Sequence, residues 1–238
     1  QAGVRYSLEN PAAYVDSNLV GFVNMLELCR HRDVQHLVYA SSSSVYGNSA
    51  SPPFSEDQRV DQPRSLYAAT KAANELMGYT YAQLYGLHAT ALRFFTVYGP
   101  WGRPDMAPLI FSRAVLAGRP IEVFNHGKMQ RDFTFVDDIV AGVLGALDTP
   151  SSELLPHQVF NLGNHTPVEL EYFIDVIAKA AGRPAEKVYR PMQPGDMIRT
   201  MADTQRAQAA FGFEPATRVE RGLPQVVHWC RQYFGERA

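Results

Sequence analysis

The arrangement that most restricts this chain is a pair of short apolar runs separated by one long helical segment. His36–Ala40 (HLVYA) breaks into four serines, Ser41–Ser44, as a buried strand does where it ends in a loop. Ser65–Tyr85 then reads as a helix closed by Gly86 in the C′ position. His88–Val97 (HATALRFFTV) reads as the next strand, ending at Tyr98-Gly99-Pro100. Strand, helix, strand in this order predicts a parallel sheet with crossovers, hence an α/β layer architecture. Ligands of such sheets lie outside the carboxyl ends of the strands, so Ser41–Gly47 and Thr96–Arg103 are the loops in which to seek chemistry.

The flanking segments fit the same frame. Asn10 ahead of Pro11 reads as an N-cap with Pro at N1, and Leu19, Phe22, Val23, Leu26 and Cys29 recur at helical spacing to about Arg30. In the second half, Trp101–Asp105 is a Pro- and Gly-rich loop before a helix near Ala107–Ala117 that Gly118 ends. Ile121–Phe124 reads as a strand, Asn125-His126-Gly127 as a turn, Val136–Leu147 as a helix and Val159–Leu162 as a strand. Thr166-Pro167 reads as the opening of a helix that stops at Gly182, followed by a strand at Val188–Arg190 and a short helix at Asp203–Phe211. The last helix, to about Phe234, contains Pro224, which predicts a start or a bend there.

Composition narrows the function classes. Hydrophobic residues make up 46% and charged residues 19%, enough to bury a core. The net charge of −2 (22 Lys plus Arg, 24 Asp plus Glu) carries no basic excess, which argues against a nucleic-acid or anionic-membrane partner. Apolar runs are too short for a membrane span, and QAGVRYS carries no apolar signal region. Cys29 and Cys230, in a chain long enough to fold without staples, predict a cytoplasmic setting. The seven histidines show no metal-ligand spacing, so no metal site is expected.

Tyr67 and Lys71 stand four apart on the long helix and share a face. A tyrosine, with a pKa of about 10, is a poor base at neutral pH, and a cation one turn away favours its phenolate. Such a phenolate takes a proton from a sugar hydroxyl and returns it, as general base and then acid. Tyr-x-x-x-Lys also occurs in ordinary helices, and a serine run is also a solvated turn. Strand, serine loop, Tyr-x-x-x-Lys helix and strand in succession form a much rarer pattern. Phe94, Phe95, Phe133 and Phe135 read as core, and Asp137-Asp138 as a charge pair at a helix N-terminus.

YASSSSVYG, SLYAATK, RFFTVYGPWGRPDM, RDFTFVDDI and PMQPGDM together resemble the extended short-chain dehydrogenase/reductase superfamily, and within it the UDP-glucuronate 4-epimerases, over essentially the whole chain. The resemblance implies a partial Rossmann-like doubly wound parallel sheet plus a smaller α/β substrate-binding domain. It places the C-terminal part of the NAD-binding domain at residues 1–99, with elements around 129–164 returning to it, and a mainly nucleotide-sugar-binding domain at 100–238. The Gly-rich turn expected of a dinucleotide-binding domain does not occur here. By comparison with the family, about three βα units would precede Gln1.

On matching positions, the resemblance implies that Tyr67 is the catalytic base, Lys71 its partner on the nicotinamide ribose, and Ser42 the catalytic hydroxyl. Asn18 and Phe94 join Tyr67 and Lys71 as cofactor contacts. Ser43, Ser44, Thr96 and Arg103 are substrate contacts that hold a sugar carboxylate, with Arg5 as a further candidate. Glu122 and Phe124 lie beside uracil, and Arg131, Gln193 and Asp196 hold the diphosphate and uridine ribose. Ser43 and Ser44 stand where related 4,6-dehydratases carry Asp-Glu, and Thr96 where UDP-galactose 4-epimerases carry Asn. The implied activity is NAD-dependent interconversion of UDP-glucuronate and UDP-galacturonate through a transient 4-keto sugar, in a homodimer joined by a four-helix bundle of helices near 11–30 and 66–85. A UDP-glucuronate decarboxylase, an epimerase of another nucleotide sugar, and an inactive fragment or non-catalytic nucleotide-sugar-binding protein are the alternatives.

Overall fold

In the computed structural model, which describes residues 1–47, 51–152, 154–192 and 197–235, helices and strands alternate along the chain. Their order is Gly21–His31 (α1), Leu37–Ser42 (β1), Leu66–Tyr85 (α2), Ala89–Phe94 (β2), Thr96–Tyr98 (β3) and Ala107–Ala117 (α3). There follow Ile121–Phe124 (β4), Gln130–Phe135 (β5), Val136–Asp148 (α4), His157–Leu162 (β6), Pro167–Glu169 (β7) and Leu170–Ala181 (α5). Lys187–Arg190 (β8), Gln205–Phe211 (α6) and Val219–Phe234 (α7) complete the series. The fold is α/β.

Contacts divide the chain into two units. The first comprises Gln1–Phe95, Ala141–Leu162 and Ala202–Phe213. Its sheet, in the order β1-β2-β6, is wholly parallel, and the register aligns Ser42 with Phe94 and Phe94 with Leu162 at the carboxyl edge. α2 lies close on β1 because Gly78 leaves room for it: a Cβ there would stand 2.5 Å from the Tyr39 hydroxyl. α1 joins the same layer through Phe22, whose ring centroid is 5.0 Å from that of Tyr39. Ahead of α1, Asn10 caps Pro11–Tyr14 by accepting the Ala13 N–H, as its sequence predicts. A π-helical stretch at Val15–Val20, not foreseen from periodicity, follows.

The second unit comprises Thr96–Val140, Gly163–Met201 and Glu214–Ala238. Leu109, Phe111 and Val115 from α3, Phe173, Ile174 and Ile177 from α5, and Leu223, Val226 and Val227 from α7 form its apolar core. Two small sheets, β3-β5-β7 and β4-β8, lie in this unit. Asp137 and Asp138 fall in the first turn of α4, where Asp138 also accepts the Thr217 N–H.

Three sequence expectations need correction, and one strand went unread. The run His88–Val97 is not one strand: β2 stops at Phe94, the Phe95 amide donates to the Leu162 carbonyl, and β3 pairs instead with β5. Both pieces are apolar, so periodicity cannot show the change of sheet. β5 itself, Gln130–Phe135, escaped the sequence reading because it carries polar residues among its aromatics. Thr166-Pro167 opens a strand rather than a helix; β7 is an edge strand, where a proline without an N–H is tolerated, and α5 starts at Leu170. Of the two alternatives for the last helix, a start near Pro224 does not hold: it starts at Val219. Its buried stripe of Val219, Leu223, Val226, Val227 and Cys230 fixes that start, and Pro224 sits inside it.

Candidate active site

The serine loop is built by local bonds. Ser42 is extended, with φ −157° and ψ 145°, and its hydroxyl accepts the Ser44 N–H at 3.2 Å. This caps a short 3₁₀ turn, Ser43–Tyr46, and leaves the Ser42 hydroxyl proton available to donate. Gly47 closes the turn at φ +48°, where a Cβ would meet the Gln62 carbonyl oxygen at 2.1 Å, so only glycine fits. Ser42 is buried, while Ser43 and Ser44 are half-buried.

α2 starts at the Ser65 cap, whose hydroxyl accepts the Ala68 N–H, and ends at Gly86 in the left-handed region. Tyr67 and Lys71 are both half-buried on this helix. The Tyr67 ring stands edge-on to Tyr14, with centroids 6.1 Å apart. Lys71 Nζ donates to the Ala40 carbonyl at 2.8 Å, which ties the helix to the strand residue two before Ser42. Burial pulls the Lys71 pKa below that of an ordinary lysine. One of its three N–H donors is used in this way.

The remaining predicted residues of the first unit lie on three other segments. Asn18 is buried in the π-helical stretch; its amide donates to Thr70 and to the Gln1 carbonyl, each at 3.0 Å. Phe94 is half-buried at the carboxyl end of β2, whereas Phe95, Phe133 and Phe135 are buried as core residues. Arg5 is exposed next to the short helix Tyr6–Glu9.

In the second unit, the predicted residues lie on separate strands and one loop. Thr96 is half-buried on β3, opposite Phe133. Arg103 forms a two-point ion pair with Asp105, Nε to Oδ1 at 3.0 Å and Nη2 to Oδ2 at 2.5 Å. Glu122 pairs with Arg190 at 3.1 Å across the β4-β8 sheet. Phe124, half-buried, packs against the core, and Arg131 is half-buried on β5. Gln193 and Asp196 lie outside the described residues.

Sequence reasoning missed a buried polar group beside the serine loop. Glu75 and Arg93 form a bidentate pair, and Tyr46 and Asn161 extend it. Two signals were present: Glu75 continues the Tyr67–Lys71 spacing by one more turn, and Arg93 is an arginine inside an apolar strand. Among the described residues no group of three metal-ligating side chains occurs, and no helix is long and apolar enough to cross a membrane.

Comparison with known proteins places these features in a family. Residues 1–163 match the model described as the NAD dependent epimerase/dehydratase family. A probable UDP-glucuronate 4-epimerase of Rhizobium meliloti is 47% identical over 98% of this chain and 73% of its own length. The structure of MoeE5 in complex with UDP-glucuronic acid and NAD superposes with a TM-score of 0.90 at 34% identity, covering 98% of this chain and 77% of that one. The UDP-glucuronic acid 4-epimerase of Bacillus cereus, in complex with UDP-glucuronic acid and NAD, gives 0.90 at 31% identity over 97% and 73%. The serine turn, the Tyr67–Lys71 helix and the parallel sheet that carries them therefore belong to a member of the NAD-dependent epimerase/dehydratase family, within the extended short-chain dehydrogenases/reductases.

Proposed function

We propose that this protein interconverts UDP-glucuronate and UDP-galacturonate, by NAD-dependent 4-epimerisation through a transient 4-keto sugar. The observation that carries the reading is the Lys71–Ala40 bond, which ties the Tyr67 helix to the strand end where Ser42 presents its hydroxyl. The relatives named above as UDP-glucuronate 4-epimerases support the substrate.

The residues present suit the nicotinamide-ribose end of NAD. The two unused N–H donors of Lys71 and the phenolic oxygen of Tyr67 form a donor and acceptor set matched to the vicinal hydroxyls of a ribose. When bound, NAD supplies the acceptor and donor of hydride at C4 of the sugar. Tyr67, as phenolate, takes the proton of the 4-hydroxyl and later returns it. Lys71 stands one helical turn from Tyr67, and Ser42 donates a hydrogen bond to the reacting oxygen. Asn18 and Phe94 complete the cofactor side. A 4-keto uronic acid is a β-keto acid and tends to lose carbon dioxide, so its carboxylate must be held out of the geometry for cleavage. Ser43, Ser44, Thr96 and Arg103 are the donors we assign to it. Glu122, Phe124 and Arg131, with Gln193 and Asp196, are assigned to the UDP moiety.

We further assign residues 1–99 and elements around 129–164 to NAD binding, and 100–238 mainly to the nucleotide sugar. A cytoplasmic homodimer completes the proposal. Met25 and Leu28 on α1, and Leu76, Tyr79 and Leu84 on α2, are exposed apolar side chains suited to a four-helix interface. The two helices already pack side by side, with Tyr81 donating to Glu27 and Arg30 lying over Tyr85. Chromatography of products after incubation with UDP-glucuronate and NAD tests the reaction. UDP-galacturonate is the expected product; a UDP-pentose as sole product would make the protein a decarboxylase, and turnover of neutral UDP-hexoses alone another epimerase.

A further inference from the structure

Tyr67, Lys71 and Glu75 succeed one another at four-residue spacing on α2, so one face of the helix carries all three. The first two have parts in the proposed reaction. Glu75 has none, yet a set of buried polar bonds in the first unit meets at its carboxylate. Its Oε1 accepts the Ser41 hydroxyl at 2.5 Å and Arg93 Nε at 2.9 Å, and its Oε2 accepts Arg93 Nη2 at 2.7 Å. Arg93 Nη1 donates to the Tyr46 hydroxyl at 3.0 Å, and Tyr46 donates to Asn161 Oδ1 at 2.7 Å. The Asn161 amide in turn donates to the carbonyls of Phe54 and Asp203.

Burying such a pair is a poor way to gain stability. The side chains of Arg93 and Glu75 are only 4% and 8% exposed, and the cost of stripping water from two charges offsets most of their attraction. What the pair supplies is geometry. Its short, directional bonds join α2 to the end of β1 at Ser41, to the serine turn at Tyr46, to β2 at Arg93 and to β6 at Asn161. Ser41 lies between Ala40, whose carbonyl holds Lys71, and Ser42, the hydroxyl assigned to the proposed reaction. The anchor is thus one residue from each.

We infer that Glu75 is a positioning residue, which acts through Ser41 and Arg93 to set Lys71 and Ser42 in register. The inference rests on the 4-epimerase reading. It assigns Ser41 to anchoring, and so separates it from the other three serines of the run.

Ser41→Ala is the informative variant, because it removes one hydroxyl and leaves the Glu75–Arg93 pair intact, whereas Glu75→Gln strands a buried guanidinium. In the full-length protein loaded with NAD, Ser41→Ala is expected to lower kcat about tenfold or more, with KM for UDP-glucuronate within about twofold. Amide hydrogen exchange is expected to quicken at residues 42–47 and to stay unchanged in β2 and β6. An unaltered kcat overturns the inference, whatever the exchange shows, and so does unaltered exchange at 42–47. Wild-type protein measured alongside separates the two claims. If it turns over no UDP-glucuronate, the reaction reading fails, and the exchange arm alone decides whether Ser41 anchors the loop.

Discussion

The two units hold their candidate groups in opposite ways. In the first, Ser41, Glu75 and Arg93 are buried and bonded to one another, and Lys71 is fixed to a main-chain carbonyl. In the second, Arg103 and Asp105 are 41% and 61% exposed, and Glu122 and Arg190 are 55% and 51% exposed, each pair meeting at the surface. Proton transfer needs groups locked before the substrate arrives, since a small misplacement costs rate. Recognition of a charged substrate tolerates groups parked in weak surface pairs, which contribute about 0–1 kcal/mol and are readily given up. On the proposed function, the contrast would separate a preorganised chemical half from an adaptable binding half.

Substitutions test this contrast in decreasing order of effect. Tyr67→Phe removes the proton acceptor while keeping the ring, so kcat should fall about a thousandfold with little change in KM, as steady-state kinetics would show. A loss below tenfold would mean that the locked half is not where the chemistry occurs.

Acid should loosen the first unit next. His157 bonds the Tyr39 hydroxyl at 2.8 Å, and burial, opposed by the nearby Glu75 carboxylate and helped by a smaller push from Arg93, depresses its pKa to about 4. Unfolded histidine titrates near 6.5, so the folded state resists the proton. The stability tied to this group is whole above about pH 6.5 and falls away as pH drops toward 4, by up to about 3 kcal/mol. Urea midpoints across that window should flatten in His157→Gln.

Arg103→Ala concerns the adaptable half. The expected effect is an about tenfold loss of epimerisation together with release of carbon dioxide and a UDP-pentose, read by chromatography. A slower enzyme that makes no pentose would remove Arg103 from the carboxylate. Least affected should be Arg190→Ala, which breaks the exposed pair with Glu122 and should shift thermal stability by less than about 1 kcal/mol.

How much of this was legible in the sequence follows the same division. The serine run, the helix read at Ser65–Tyr85, the Tyr67–Lys71 spacing and Gly86 are local signals, and each has its counterpart in the first unit. The break at Phe95 was not legible, because a strand that leaves one sheet for another keeps the same apolar texture. Glu75 and Arg93 went unread for a related reason. Glu and Arg are residue types usually found at the surface, and only packing across 18 positions shows that these two are buried together. In the second unit, β7 begins with a Thr-Pro pair that usually opens a helix, and only its pairing with β5 makes it a strand.

The most direct test of the account is the fate of hydrogen at C4. UDP-glucuronate deuterated at that carbon should give UDP-galacturonate that retains the label, because the same hydride leaves and returns while Tyr67 handles only the hydroxyl proton. Loss of the deuterium to solvent water during turnover would contradict oxidation and re-reduction at C4, and with it the role assigned to Tyr67 and Lys71.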